Sequence, residues 1–205
     1  AVRNLRWAVL YLFLFGVSLS VYPVYFPRHL VDLGLPVHLV GVASAASWVA
    51  FGLSQPVGAR YADRTSRHKP LLVASLLVAA ALNLFMALAS SLWWVLGAWV
   101  LLGFADGLGR PATLSLIASS TPAPHRGHAF GWTNATVTAS GVVAPFALAF
   151  LVMAHGIAAG LLAVTATIVL AALPPLLIRE VPREEPPPQR APAGAGAGVV
   201  GGGAA

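Results

Sequence analysis

Residues 59–69 read ARYADRTSRHK, from Ala59 to Lys69, and lie between two long apolar stretches of the chain. This short segment contains four of the chain's 12 Lys and Arg residues and one of its six acids. Charge at this density cannot lie in hydrocarbon, where it has no water to hydrate it. The segment therefore predicts a short connection between two membrane spans, and the rest of the sequence is interpreted from there.

The composition is that of an integral membrane protein. Hydrophobic residues make up 58% of the 205 residues and charged residues only 9%, whereas soluble proteins carry roughly 25% charged residues. The net charge of +6 would favour nucleic acid in a soluble chain, but these basic residues lie between apolar stretches, where they set orientation. No nucleic-acid partner is therefore predicted, and the lipid bilayer is the predicted environment.

Thiol and metal chemistry have no support in the sequence. The chain contains no cysteine, which excludes disulfides, thiol catalysis and cysteine metal sites. Its six histidines form no pair on a common helix face, so neither a metal site nor another cofactor is predicted.

Six apolar stretches are each near the ~20 residues that a helix needs to cross a bilayer. They are residues 5–26, 37–57, 70–90, 93–116, 129–153 and 157–178. Ten of the 12 Lys and Arg residues fall on one side of these spans. This bias predicts a multi-pass protein of the plasma or inner membrane with both termini cytoplasmic.

The ends of the bundle have their own signals. Aromatic residues predict the inner interface at Trp7, Tyr61 and Trp132 and the outer one at Tyr22, Tyr25, Phe26, Trp93 and Trp94. Residues 1–180 form the predicted transmembrane bundle. Residues 181–205, rich in Pro, Ala and Gly, are predicted to be a disordered cytoplasmic tail or a linker.

The fourth span carries an acid and a base deep in the membrane. Asp106 lies near the middle of the span, and Arg110 follows four positions later. This spacing puts both charges on one helix face, and charges at such depth must face a bundle interior or a watery cavity. Asp106 and Arg110 are therefore the first candidates for substrate binding or proton coupling. A static ion pair that fixes helix packing is the alternative.

Other polar and backbone features supply further candidates. Pro111 cannot donate to the carbonyl group of Gly107, and Gly103 and Gly109 weaken the same region. Kinks are therefore predicted at Gly107 and Pro111, and at Pro145 in span five. Weaker substrate candidates are Tyr22, Trp48 and Asn134. Asn83 and Asn134 are candidates for interhelical hydrogen bonding.

The 59–69 segment resembles the loop between helices two and three of the major facilitator superfamily, G-x-L-a-D-R-x-G-R-K. The matching residues are Asp63, Arg64, Arg67 and Lys69, whereas Ala59 and Ser66 replace glycines. A second stretch, Arg126-Gly127 with Gly131, is similar to the R-G-x-x-x-G after helix four. The likeness is to the N-terminal six-helix half of such a transporter and covers about residues 5–180.

The resemblance implies a fold and a mechanism. The fold is an all-α membrane bundle of six helices, arranged as two inverted three-helix repeats, that rocks against a second bundle in alternating access. The second bundle would be a missing C-terminal half or a second copy. In such a protein Asp63 would latch the cytoplasmic side by pairing with Arg64, Arg67 or Arg126, and Lys69 would belong to the same gating loop.

The resemblance also bears on what is transported. It implies a small organic solute, with protons as the coupling ion and with helices one and four lining the path. Gly103 and Asp106 stand where efflux members often carry Arg and Gln. Residues 140–145 are similar to an antiporter motif in Pro145 and in small residues, although Leu148 and Ala149 replace its closing glycines. Efflux is the first choice.

Three alternatives remain open. Uptake of a sugar or an organic anion fits the same fold. A non-transporting fragment or membrane partner is the second alternative. The third is an intramembrane serine protease, for which Ser140 and His155 would be the nucleophile and base, although the leading glycine of a G-x-S motif is missing. The favoured reading is a transporter and not an enzyme.

Overall fold

The computed structural model describes residues 2–65, 68–121 and 123–178, and within them every regular element is helical. The elements are α1 (Val2–Asp32), α2 (Val37–Thr65), α3 (His68–Leu88), α4 (Leu92–Ser120), a 3₁₀ turn (Ala123–His125), α5 (Arg126–Ala171) and α6 (Leu173–Leu177). Five helices are long and apolar enough to cross a membrane. The predicted all-α class is confirmed for this part of the chain. The predicted tail at 181–205 lies outside the described residues.

Helix α5 is too long for a single crossing. Its 46 residues would extend roughly 70 Å as a straight helix, against a hydrocarbon core of about 30 Å. Its backbone leaves the helical conformation at Gly156, where φ is 81° and ψ is 173°. A Cβ added at Gly160 would lie 2.7 Å from Cγ2 of Val152, although residues eight apart in a straight helix are separated by about 12 Å. The chain therefore folds back at Gly156. α5 consists of a first arm before Gly156 and a second arm after it.

The turn at Gly156 depends on glycine, so Gly156→Ala is expected to destabilise the protein. A positive φ with an extended ψ is essentially restricted to glycine, and forcing another residue into it costs about 1–3 kcal/mol. Thermal unfolding in detergent should show a lower Tm than the parent protein. The matched variant Gly131→Ala lies in open space on the first arm and should have a Tm equal to or above that of the parent protein. Equal Tm values for the two variants would contradict the assignment of the turn.

The helices pack in pairs around one apolar core. α1 packs mainly against α5 and α2 against α4, while α3 contacts both α4 and α5. An aromatic cluster links α1 to α4, because the ring of Trp99 lies 4.2 Å from that of Phe26 and 4.9 Å from that of Tyr22. Tyr22 and Phe26 are thus buried core residues, and their position at the outer interface stays a prediction.

Helix α2 buries a face made only of small side chains. Its buried residues are Ser47, Ser54, Gly58 and Ala62. On the facing helix α4, Cβ atoms added at Gly103 and Gly107 would collide with α2, at Ser47 and Phe51 respectively. In a membrane, small residues at a helix interface allow the close backbone contact that holds helices together. The α2–α4 pair is built on this contact, and large apolar side chains of α2, among them Val42, Trp48 and Leu53, are exposed away from it.

The charged 59–69 segment is helical over most of its length. α2 continues to Thr65 and α3 begins at His68, so the connection is shorter than the loop predicted from charge. Ala, Arg and Tyr are acceptable helix residues, and a helix can continue beyond the hydrocarbon with charged side chains in water. In this extension Ala62 is buried, whereas Asp63 and Arg64 are exposed.

Candidate functional site

Asp106 lines a small cavity between α1, α3 and α4. The polar groups around it come from Tyr11, Ser75, Arg110 and Thr113, and Phe15 contributes an aromatic wall. Its volume is about 10 Å³, close to the minimum of about 10–15 Å³ that one water molecule occupies. We call it the Asp106 cavity.

Asp106 and Arg110 share this cavity but do not form an ion pair. Within the described residues the salt bridge found is between Arg28 and Asp32, at 3.9 Å on the surface. The static pair that the sequence left open is therefore not formed in this structure. Two opposite charges without a partner in an apolar bundle are costly, and taking up a proton would remove the cost at Asp106.

A second cavity lies between α1, α4 and α5. It is lined by the polar residues Arg110, Thr113, Thr133 and Asn134, together with apolar side chains, and its volume is about 40 Å³. We call it the Asn134 cavity. Arg110 and Thr113 line both cavities. Neither cavity is large enough to hold a drug-sized molecule, which needs about 300 Å³ or more.

Sequence reasoning missed two hydroxyl groups at this site. Tyr11 Oη lies 3.0 Å from Thr113 Oγ1, and both side chains are buried. Thr113 follows Asp106 by seven residues, so the helical repeat that paired Asp106 with Arg110 also puts it on their face. Tyr11 had no such signal, because it reaches the site from another helix.

The predicted kink positions lie in helical backbone. α4 is helical through Gly107 and Pro111, and α5 is helical at Pro145. Pro145 accepts a 2.6 Å hydrogen bond from the Tyr25 hydroxyl at its carbonyl oxygen, which ties α1 to α5. Kinks at these positions stay a prediction; the break in the described helices is at Gly156.

Tyr22 is part of a buried hydrogen-bond network and lines neither cavity. Its hydroxyl donates to Asn83 Oδ1 at 3.0 Å. The Asn83 amide nitrogen in turn donates to the Leu161 carbonyl at 2.7 Å and to the Thr165 hydroxyl at 2.8 Å. The network joins α1, α3 and the second arm of α5. The prediction of interhelical hydrogen bonding is thus confirmed for Asn83, one of the two asparagines for which it was made.

The remaining predicted substrate residues are separated in the structure. Trp48 is 62% exposed on the outer face of α2 and lines neither cavity. Asn134 lines the cavity named after it and is exposed at the surface of the bundle. The structure therefore brings Asn134 to the Asp106–Arg110 region through the shared wall of the two cavities, and it leaves Trp48 apart.

The predicted gating residues lie at the ends of α2, α3 and α5. Asp63 and Arg64 are exposed at the end of α2, and Asp63 forms no ion pair within the described ranges. Lys69 lies in the first turn of α3. Arg67 lies outside the described residues, as does the side chain of Arg126. The latch stays a prediction.

The geometry does not favour the protease alternative. Ser140 is fully buried, donates to the Val137 carbonyl of its own helix at 2.7 Å, and packs on Gly16 of α1. His155 is exposed beside the Gly156 turn. Ser140 therefore has no base partner among the residues that the structure describes.

The fold and the site define a multi-pass membrane protein that holds an acid and a base within a helical bundle, with no ion pair between them. The family model of the Major Facilitator Superfamily matches residues 8–202. The chain belongs to this superfamily of membrane transporters, the family that the sequence resembles.

A curated relative agrees with this family. It is the protein "Multi-drug resistance efflux pump PmrA homolog" of Lactococcus lactis subsp. lactis (strain IL1403), which is 32% identical over 145 residues. The match covers 69% of this chain and 35% of the relative. The chain thus spans about a third of the length of the relative that it matches.

Proposed function

We propose that this protein carries out secondary active transport of a small organic solute by alternating access, as proton-coupled efflux. The observation that carries the proposal is Asp106, an acid at a cavity inside the bundle that has no ion-pair partner among the described residues. A carboxyl group in this setting is able to alternate between a protonated and an ionised form as access changes. Membership of the superfamily and the efflux pump named among its relatives support the same function.

The proposed architecture is six spans with both termini in the cytoplasm of a cell membrane. The two arms of α5 would cross the membrane separately, with the Gly156 turn on the outer side. The six-helix bundle, as two inverted repeats, would work against a second bundle, supplied by a C-terminal half or a second copy. Asp63 would latch the cytoplasmic ends, with Arg64, Arg67 or Arg126 as its partner.

The topology is tested by single cysteines, for which the cysteine-free chain is a clean background. Ser90→Cys, His155→Cys and Thr65→Cys replace exposed residues. A membrane-impermeant maleimide added to intact cells should label the first two, and Thr65→Cys only after permeabilisation. An unlabelled His155→Cys beside a labelled Ser90→Cys would show that α5 does not cross the membrane twice.

The transport function is tested with the full-length protein in liposomes. An acidic lumen should drive accumulation of the fluorescent cation ethidium, with protons leaving in exchange, and a protonophore should abolish it. Accumulation that is independent of the pH gradient would refute proton coupling.

Uptake of an organic anion is the second candidate, and Arg110 favours it. Arg110 lines both cavities and has no ion-pair partner in the described part of the chain. Arginine binds carboxylates and phosphates through paired hydrogen bonds. Accumulation of an anionic probe such as fluorescein under an inward proton gradient would support this candidate over efflux.

A further inference from the structure

The wall between the two cavities contains a pair of hydroxyl groups. Tyr11 lines the Asp106 cavity, whereas Thr113 lines both cavities. Their oxygen atoms are 3.0 Å apart in the core of the bundle. Together with Arg110, which also lines both cavities, the hydroxyl pair forms a polar part of the wall between Asp106 and Asn134.

The direction of this hydrogen bond follows from the neighbouring one. Thr113 Oγ1 donates to the Gly109 carbonyl at 3.2 Å, and a threonine hydroxyl has only one hydrogen to donate. Tyr11 is therefore the donor to Thr113. Rotation about the Thr113 C–O bond would turn its hydrogen from Gly109 towards the Asn134 cavity. The Gly109 carbonyl would keep the backbone N–H of residue 113, its normal helical partner.

We propose that Tyr11 and Thr113 form a two-hydroxyl relay that passes protons between the Asp106 cavity and the Asn134 cavity. This inference rests on the proposed function, with Asp106 as the site that is protonated and deprotonated. The Asp106 cavity has room for about one water molecule, and the Asn134 cavity for more than one. Water would thus complete the path on both sides of the hydroxyl pair.

The relay moves one proton and leaves both side chains neutral. The Asp106 carboxyl group gives its proton to water in its cavity, and that water gives a proton to Tyr11 Oη. The original hydroxyl hydrogen of Tyr11 moves to Thr113 Oγ1, and the hydrogen of Thr113 moves to water in the Asn134 cavity. At each hydroxyl oxygen one O–H bond forms and one breaks. The products are an Asp106 carboxylate and a hydronium ion in the Asn134 cavity.

The position of the Asn134 cavity gives the relay a direction. The cavity is formed by later turns of α4, to Ile117, and by the first turns of α5, from Phe130. In the proposed topology these turns lie on the cytoplasmic side of Asp106, so the relay would release protons inwards. The titratable groups that line the two cavities are Asp106, Arg110 and Tyr11. The positive charge of Arg110 borders both cavities and disfavours retention of the proton in either.

Thr113→Val tests the relay because valine keeps the branched shape of threonine and removes the hydroxyl group. The assay uses liposomes that contain the full-length protein. An internal pH dye reports the rate of proton movement, and ethidium fluorescence reports the rate of ethidium movement across the same membrane, called exchange below. We expect Thr113→Val to lower the ratio of proton movement to exchange at least fivefold. Thr113→Ser keeps a hydroxyl group and should have the ratio of the parent protein. Tyr11→Phe should have the same effect as Thr113→Val.

The matched control is Thr136→Val, because the Thr136 hydroxyl bonds the carbonyl of Trp132 on its own helix and lines neither cavity. Its ratio should equal that of the parent protein. If the ratio in Thr113→Val equals that of the parent protein, whether or not both rates fall, the relay is overturned and the proposed function stays intact. If the parent protein itself shows no substrate-dependent proton movement, the proposed function is refuted, and the relay with it.

Discussion

Asp106→Asn is expected to reduce proton-driven ethidium transport to the level of protein-free liposomes while the protein stays folded. Asparagine has nearly the same shape as aspartate but cannot bind and release a proton at neutral pH. Since Asp106 forms no ion pair within the described residues, the substitution breaks no salt bridge, and an unpaired charge is removed from the bundle. The Tm in detergent should therefore not fall.

The matched control for this variant is Asp32→Asn. Asp32 is an exposed acid at the end of α1 whose surface contact with Arg28 contributes little to stability. Its substitution should leave transport at the parent rate. Ethidium exchange without a pH gradient, measured in parallel, separates loss of coupling from loss of substrate binding. Proton-driven transport by Asp106→Asn at the parent rate would exclude this carboxyl group as the coupling site.

Gly107→Ala is expected to have the second large effect, on stability. A Cβ at this position would collide with Ser54 Oγ and with the carbonyl oxygen of Phe51, and would lie 3.0 Å from the carbonyl carbon of Phe51. The Ser54 hydroxyl can rotate away, but the Phe51 carbonyl belongs to the backbone, so α2 and α4 must separate. Overpacking of this kind costs about 1–3 kcal/mol, which outweighs the ~1 kcal/mol that alanine adds by helix propensity.

The measurement for Gly107→Ala is thermal unfolding in detergent, beside Gly97→Ala. Gly97 lies on the same helix with no atom within 4 Å of an added Cβ, so its substitution brings the propensity gain without the collision. We expect a lower Tm for Gly107→Ala and an equal or higher one for Gly97→Ala. If the Tm of both variants were higher than that of the parent protein, the close contact between α2 and α4 would not contribute to stability.

The glycines of α4 show what could and could not be predicted from the sequence. From sequence, Gly103, Gly107 and Gly109 are alike, and all three predict weak points of a kinkable helix. In the structure α4 is helical through them; the first two contact α2, and Gly109 contacts Ser75 of α3. Backbone propensity is a local property, but the reason for a glycine at a helix interface is the neighbouring helix, which no local pattern specifies.

The aromatic residues of α1 show a similar limit. Tyr22 and Phe26 stand near the end of an apolar span, which is typical of interfacial residues, yet both rings pack on Trp99 in the core. Trp93 and Trp94, at the start of α4, are exposed. Position along a span says how deep a residue lies in the membrane, but it does not say which face of the helix meets a neighbour.

Composition and local patterns were enough to predict the membrane class, the all-α fold and the family. These depend on composition, on the length of apolar stretches and on motifs such as that at 59–69, all of which are local along the chain. The sequence also put Asp106 and Arg110 on one helix face, since four residues make about one turn. The gap between the predicted spans 129–153 and 157–178 also agrees with the turn at Gly156. Helix packing was needed to show that the two charges share a cavity without pairing, that Gly107 contacts α2, and that Tyr11 meets Thr113. Those features depend on contacts between residues far apart in the chain, and their geometry is set by how whole helices pack.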